Sequence, residues 1–102
     1  MRKADNVSSG EISAKLSSLK PEAKLRFKVE IRGIFGSYVQ GQQREGSDLD
    51  VLVEFDAGAN LLHLVGLAEF LEEKLRLKVD VVPESALREE IKNTILREKI
   101  AV

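Results

Sequence analysis

The chain has 102 residues, 43% of them apolar and 32% charged, with a formal net charge of −1. These values predict one soluble globular domain, residues 1–102, with a modest core; its polar residues 1–8 are expected to be disordered. The absence of cysteine excludes disulfides and thiolate metal sites and favours a reducing cytoplasm. No apolar run approaches the roughly 20 residues of a membrane span, and no apolar signal segment opens the chain.

Charge is unevenly distributed along the chain. Residues 1–44 hold nine Lys or Arg against four Asp or Glu, whereas residues 45–102 hold seven against thirteen. A basic half and an acidic half are compatible with a metal-bound anion between them, and equally with ordinary solvated helix faces. The near-zero net charge argues against strong nucleic-acid binding through a broad basic patch.

The first predicted elements are a helix and a strand. Apolar residues at helical spacing predict a helix over 10–19, and Pro21 then indicates either a kink or a new turn over 21–25. Alternating apolar and charged residues predict the first strand over 27–35. Within that strand, Gly33 indicates a bulge or a close approach of another backbone segment.

The middle of the chain predicts a short helical segment, a strand and a longer helix. The short segment runs over 37–43 and the second strand over 48–55. Asn60 is a good N-cap for a helix over 61–75. His63 lies off the apolar stripe of that helix, which favours a surface or packing role over catalysis. The stripe consists of Leu61, Leu64, Val65, Ala68, Leu71 and Leu75.

The C-terminal part predicts a third strand over 78–83, ended by Pro83, and a final helix over 85–99. The order is therefore α-β-α-β-α-β-α. It indicates an α/β domain with a small mixed sheet and helices packed on one face. The strand order cannot be read from the chain.

Two aspartates at the start of the second strand are candidate metal ligands. Asp48 and Asp50 are two residues apart, so on a strand both side chains project from one face. Adjacent carboxylates repel unless they share a cation, and hard oxygen ligands suit Mg²⁺, which takes its other ligands from water and substrate phosphates. With a Gly-Ser turn at Gly36 and Ser37, this pattern indicates a nucleoside triphosphate site. Asp48 and Asp50 in isolation are also compatible with simple turn chemistry.

Asp80 is a third candidate, because a carboxylate within an apolar strand is costly to bury unless it is paired or binds a metal. The residues alone leave open a salt bridge to a nearby Lys or Arg.

The spacing of these residues resembles the minimal nucleotidyltransferases of the polymerase-β-like superfamily, from about residue 10 to the C-terminus. Their fingerprint is Gly-Ser, ten residues and Asp-x-Asp. The chain departs from it at Gln40, usually an arginine, and at Gly46, where an acidic residue is common. The matching positions are Gly36, Ser37, Asp48 and Asp50, with Tyr38 and Gly41 in the longer form.

The resemblance implies a polymerase-β-like nucleotidyltransferase fold and a site that binds ATP with two Mg²⁺ ions. Asp80 stands where the family has its third carboxylate. Loss of the arginine at position 40 would weaken contact with the triphosphate unless Arg44 substitutes for it. The implied catalytic and metal-binding residues are Asp48, Asp50 and Asp80, and the implied nucleotide-binding residues are Gly36, Ser37, Tyr38, Gln40 and Arg44.

The implied reaction transfers a nucleoside monophosphate, AMP from ATP, to a hydroxyl. Small members of this family act as antitoxins that adenylylate a tyrosine of an all-helical HEPN toxin, so such a protein is the implied partner. A second hypothesis is a catalytically weak or inactive antitoxin that neutralises its helical partner by binding alone. Transfer to a small molecule such as an aminoglycoside is disfavoured, because nothing resembles an appended substrate domain. The sequence leaves homo-oligomerisation open.

Overall fold

The computed structural model describes residues 9–36 and 48–102. The disorder expected for residues 1–8 and the helical segment expected over 37–43 lie outside this part of the chain. The described elements are α1 (Ser9–Phe27), β1 (Val29–Phe35), β2 (Leu49–Phe55), α2 (Leu61–Leu75), β3 (Val79–Pro83), a 3₁₀ turn (Glu84–Ala86), α3 (Glu89–Glu98) and β4 (Ile100–Ala101).

The described strands form one mixed sheet in the order β3-β2-β1-β4. β1 runs antiparallel to both β2 and β4, whereas β2 and β3 are parallel and are connected through α2. A parallel pair needs such a crossover, because the chain must return to the same end of the sheet before the second strand begins. The prediction of a small mixed sheet in an α/β domain is confirmed.

The main core lies between one face of the sheet and helices α1 and α2. Alternate residues of β1, β2 and β3 point into it. On the opposite face, Leu52 is also fully buried, where the 3₁₀ turn contacts β2. The core residues are Ile12, Leu16, Ala23, Val29, Ile31, Ile34, Leu49, Val51, Val53, Leu67, Phe70, Leu71, Leu75, Val79 and Val81.

Helix α1 continues through Pro21 and ends only at Phe27. The prediction of a separate turn beginning at Pro21 is wrong, and so is the assignment of Phe27 to the first strand. The Phe27 ring packs against that of Phe70, with 5.4 Å between ring centroids, and this contact with α2 favours the last helical turn. Lys28, with φ of 54°, then turns the chain into β1.

The buried stripe of α2 differs from the predicted one. Leu71 and Leu75 are buried as expected, and Leu64 and Ala68 are partly buried against the core. The other buried positions, Leu67 and Phe70, were not in the predicted stripe. Leu61 and Val65, which were predicted to face the core, are 74% and 46% exposed. The helix is rotated because its aromatic side chain and Leu67 provide more buried surface than the aliphatic residues of the first turn.

β1 contains the bulge predicted at Gly33. Ile31 pairs with Val53 and Gly33 with Leu52, so Arg32 has no partner on β2. The close approach of another backbone segment is also present, since a Cβ added at Gly33 would lie 2.6 Å from the carbonyl oxygen of Ile100.

The last predicted helix is shorter than expected, because Leu87, with ψ of 141°, separates the 3₁₀ turn from α3. Strand β4 was not predicted. It has two residues, too few to produce an alternating pattern.

The N-terminus of α2 has the expected cap. The backbone N–H of His63 donates to the Asn60 side chain at 3.2 Å, and the backbone N–H of Asn60 donates to Nδ1 of His63 at 3.0 Å. This reciprocal pair gives the backbone N–H of Asn60 an acceptor and gives that of His63 a second one, besides the carbonyl oxygen of Asn60 at 3.0 Å. It also gives His63 a structural role, in agreement with the packing interpretation.

We expect Asn60→Ala to lower the free energy of unfolding by about 1 kcal/mol, because it removes the cap of a helix that crosses the core. The matched control is Asn93→Ala on the exposed side of α3, which should change it by less than about 0.5 kcal/mol. Urea denaturation of both variants measures the difference. Equal effects would show that the cap contributes no specific stability.

Candidate active site

Asp50 and Asp80 are direct neighbours across the parallel strands β2 and β3. Their Cα positions are register partners, next to the pair Leu49 and Val79, whose side chains are buried in the core. Since strand side chains alternate, both aspartates lie on the face opposite that core. Adjacent strands lie about 4.8 Å apart, so this register brings the two carboxylates together.

Two hydrogen bonds fix the ends of these strands. The backbone N–H of Leu49 donates to the carbonyl oxygen of Lys78 at 2.7 Å, which joins the beginning of β2 to the residue before β3. The backbone N–H of Val79 donates to Oε2 of Glu72 at 3.0 Å. Glu72 lies on α2, so this helix fixes the strand that carries Asp80.

The half-buried carboxyl of Asp50 is the titratable group of this cluster with an altered pKa. Burial, followed in order of effect by the negative charges of Asp80 and Asp48, raises its pKa from 3.8 to about 6. Both neighbours are exposed. The charged form of Asp50 is therefore costly in the protein alone, and a bound cation would relieve that cost.

None of the three carboxylates forms an ion pair with another residue of the described ranges. The same residues contain no group of three or more His, Cys, Asp or Glu side chains placed to hold a metal ion by themselves. These facts fit Mg²⁺, which is commonly held by one or two carboxylates and completed by water and substrate phosphates.

Gly36 follows β1 and lies against Asp50. Its φ of 83° belongs to the left-handed region, and a Cβ at this position would collide with Oδ2 and Cγ of Asp50. Glycine is therefore required twice here, for its backbone conformation and for the room it leaves to the carboxylate. The sequence predicted a phosphate-binding role for Gly36 but not this contact.

Of the other predicted nucleotide-binding residues, Ser37, Tyr38, Gln40 and Arg44 lie outside the described residues. The structure brings together Asp50, Asp80 and Gly36, with Asp48 directly before β2. Sequence analysis did not identify Glu72 as a positioning residue. A glutamate on the polar side of a predicted helix gives no signal of such a role, because its partner is a backbone N–H seven residues away.

These features place a cluster of carboxylates on one face of a small mixed sheet. Residues 15–102 match the family described as nucleotidyltransferase domain. This chain belongs to that family.

Individual relatives show which nucleotidyltransferases this chain is similar to. The chain is 45% identical over 92 residues to "Protein adenylyltransferase MntA" of Thermococcus cleftensis, covering 90% of this chain and 93% of the relative. A solved structure of a candidate minimal nucleotidyltransferase matches with a TM-score of 0.79 at 32% identity, over 95% of this chain and 98% of the other. A toxin–antitoxin structure with AMP-PNP shares the fold, with a TM-score of 0.70 at 24% identity over 87% of this chain and 70% of the other.

No helix in residues 9–36 or 48–102 has the length and apolar character needed to cross a membrane.

We expect Asp50→Asn to stabilise the metal-free protein at neutral pH. The folded protein binds more protons than the unfolded chain between pH 3.8 and about 6, so the contribution of Asp50 to stability is most favourable below this range and is lost as pH rises through it. The variant should lack this part of the pH dependence. Thermal unfolding in EDTA across this pH range, with Asp56→Asn as a surface control that should give no gain, measures the effect. A variant less stable than wild type at neutral pH would refute it.

We expect Gly36→Ala to abolish nucleotide transfer while the domain still folds. Gly58→Ala is a matched control, because Gly58 also has a positive φ, of 92°, but only the flexible end of Lys28 lies near its Cβ position, at 3.7 Å. Both variants should lose roughly 1–2 kcal/mol of stability from backbone strain. Only the change at Gly36 displaces the carboxylate of Asp50, so activity assays on both proteins separate strain from site damage. Equal activities in the two variants would contradict this role.

Proposed function

We propose that this chain is a magnesium-dependent protein adenylyltransferase that moves AMP from ATP to a tyrosine hydroxyl of a helical HEPN-type toxin and so acts as its antitoxin. The observation that carries the proposal is the register of Asp50 with Asp80, beside Asp48, without a compensating cation in the described residues. The name of the Thermococcus relative supports adenylyl transfer to protein. The AMP-PNP complex of a protein with this fold supports the nucleotide.

Asp48, Asp50 and Asp80 would hold Mg²⁺ together with the triphosphate. Bound there, Mg²⁺ would neutralise phosphate charge and lower the pKa of the acceptor hydroxyl. The three carboxylates would orient the nucleotide because they and the triphosphate bind the same Mg²⁺. Gly36 and Ser37 would bind the phosphates, and Tyr38, Gln40 and Arg44 would contribute to nucleotide binding, as the family resemblance implies.

The reaction exchanges a phosphoanhydride bond of ATP for a phosphoester bond to the acceptor. The acceptor oxygen attacks the α-phosphorus of ATP, a new oxygen-to-phosphorus bond forms, and the bond to the bridging oxygen of the β-phosphate breaks. Pyrophosphate leaves with that oxygen, and the acceptor proton passes to a carboxylate of the cluster. The chain contributes positioning and electrostatic stabilisation.

The proposed substrate and the amino-acid composition are both compatible with the cytoplasm. The substrate is a nucleoside triphosphate, and the chain has no cysteine, as is common in a reducing environment. We therefore place the reaction in the cytoplasm.

The test is adenylylation of a purified HEPN-type partner, measured as AMP added to a tyrosine by intact-protein and peptide mass spectrometry. Wild type with ATP and Mg²⁺ should add AMP, and EDTA should abolish the reaction. Asp48→Asn combined with Asp50→Asn should reduce the rate by at least about 10³-fold, because the carboxylates that offset the phosphate charge are lost. Asp56→Asn, a carboxylate paired with Lys24 on the surface, should retain activity.

A double variant that still neutralises the toxin as well as wild type would contradict the proposal. That result would support neutralisation by binding alone.

A further inference from the structure

Helix α2 begins with an apolar ridge formed by Leu61, Leu62 and Val65. These side chains are 74%, 79% and 46% exposed. Transferring each from water into a protein contact would be favourable. Adjacent large aliphatic residues at this level of exposure are typical of an interaction surface.

The fold prevents the ridge from turning inward. Leu67, Phe70 and Leu71 fix the rotation of α2 against the sheet. One turn after the ridge, Gly66 receives the ring of Phe27, and a Cβ at Gly66 would lie 2.9 Å from Cε1 of that ring. The capped first turn therefore keeps the ridge in solvent.

A notch continues the ridge along the helix. Leu62 and Gly66 are four residues apart and so lie on one helical row. The notch has a volume of about 380 Å³, and its floor is formed by Phe27, Gly66 and Phe70. Its rim consists of Arg26, Glu69 and Glu73.

The charged side chains of the rim differ in whether they already form an ion pair. Arg26 is paired with Glu22 at 2.9 Å and stacks over the rings of Phe27 and Phe70 at 5.1 and 5.2 Å. Glu69 and Glu73 have no ion pair within the described part of the chain. The notch thus offers carboxylates next to an apolar surface.

We propose that the ridge and the notch dock an amphipathic helix of a partner protein that presents an aliphatic face flanked by Lys or Arg. The aliphatic face would cover Leu61, Leu62 and Val65, and the basic side chains would reach Glu69 and Glu73. A second copy of this chain fits less well, because a two-fold contact would use the same surface of both copies. That surface carries Glu69 and Glu73, whereas its Arg26 is already paired with Glu22.

The docking surface is separate from the candidate active site. Asp50 and Asp80 lie on the face of the sheet opposite the core, whereas α2 packs on the core face. Asp50 also lies near the beginning of β2, whereas the ridge follows the far end of that strand, which spans Leu49–Phe55. A seven-residue strand is about 20 Å long. Failure of docking would therefore leave nucleotide binding intact, and failure of the proposed function would leave docking intact.

The test uses a fluorescent helical peptide with a leucine face flanked by lysines, and a second peptide in which glutamates replace the lysines. Fluorescence anisotropy should show binding of the lysine peptide to wild type and weak or no binding of the glutamate peptide. Leu62→Ser should weaken binding by roughly tenfold, about 1.4 kcal/mol. Glu69→Lys combined with Glu73→Lys should reverse the preference.

The matched control is Leu25→Ser, because Leu25 on α1 is 85% exposed and lies outside the ridge. It should bind the lysine peptide as wild type does, and all variants should bind ATP with Mg²⁺ unchanged. The proposal is overturned if neither peptide binds, if both bind equally or if Leu62→Ser has no effect. It is also overturned if sedimentation shows that the ridge forms a dimer that Leu62→Ser disrupts.

Discussion

The parallel register of β2 and β3 is the constraint on which the candidate site depends. It pairs Asp50 with Asp80 while the neighbouring residues of both strands enter the core. A shift of one residue would move an aspartate to the core face and an apolar side chain to the site. Burial of Leu49, Val51, Val79 and Val81 therefore stabilises the register that brings the carboxylates together.

This arrangement places like charges together at a cost that the folded core offsets. Burial and two neighbouring carboxylates raise the pKa of Asp50, and the described residues offer no cation in return. Gly36 adds a second constraint, because its missing side chain leaves room for the Asp50 carboxylate. In the isolated protein this cluster of carboxylates is unfavourable, because their negative charges lie close together. The cluster suits a ligand that brings positive charge, such as a metal-bound triphosphate.

The sequence predicted those parts of the fold in which one short pattern decides the outcome. The alternation around Val51 predicted β2, Asn60 predicted the start of α2, and Gly33 predicted the bulge. The residue pattern gave wrong predictions where contacts between distant segments decide which local structure forms. Phe27 ends α1 rather than beginning β1 because Phe70 lies opposite, and the same aromatic contact turns Leu61 into solvent. Neither contact can be read from spacing within one segment.

For the candidate site, the sequence predicted the individual residues but not how the fold pairs them. Asp48 and Asp50 stand out through their spacing, and Asp80 through its place in an apolar strand. The pairing of Asp50 with Asp80 required the strand order, which the sequence does not contain. The hydrogen bond from Val79 to Glu72 is a property of the folded backbone and leaves no trace in residue types.

Paramagnetic NMR can test whether Asp50 and Asp80 together bind a metal-bound triphosphate. Mn²⁺ with a non-hydrolysable ATP analogue should broaden the amide signals around Asp50 and Asp80 most strongly and leave those at the start of α2 sharp. Combining Asp50→Asn with Asp80→Asn should remove the broadening. Broadening centred away from these strands, or unchanged in the double variant, would show that Asp50 and Asp80 do not bind the metal-bound triphosphate.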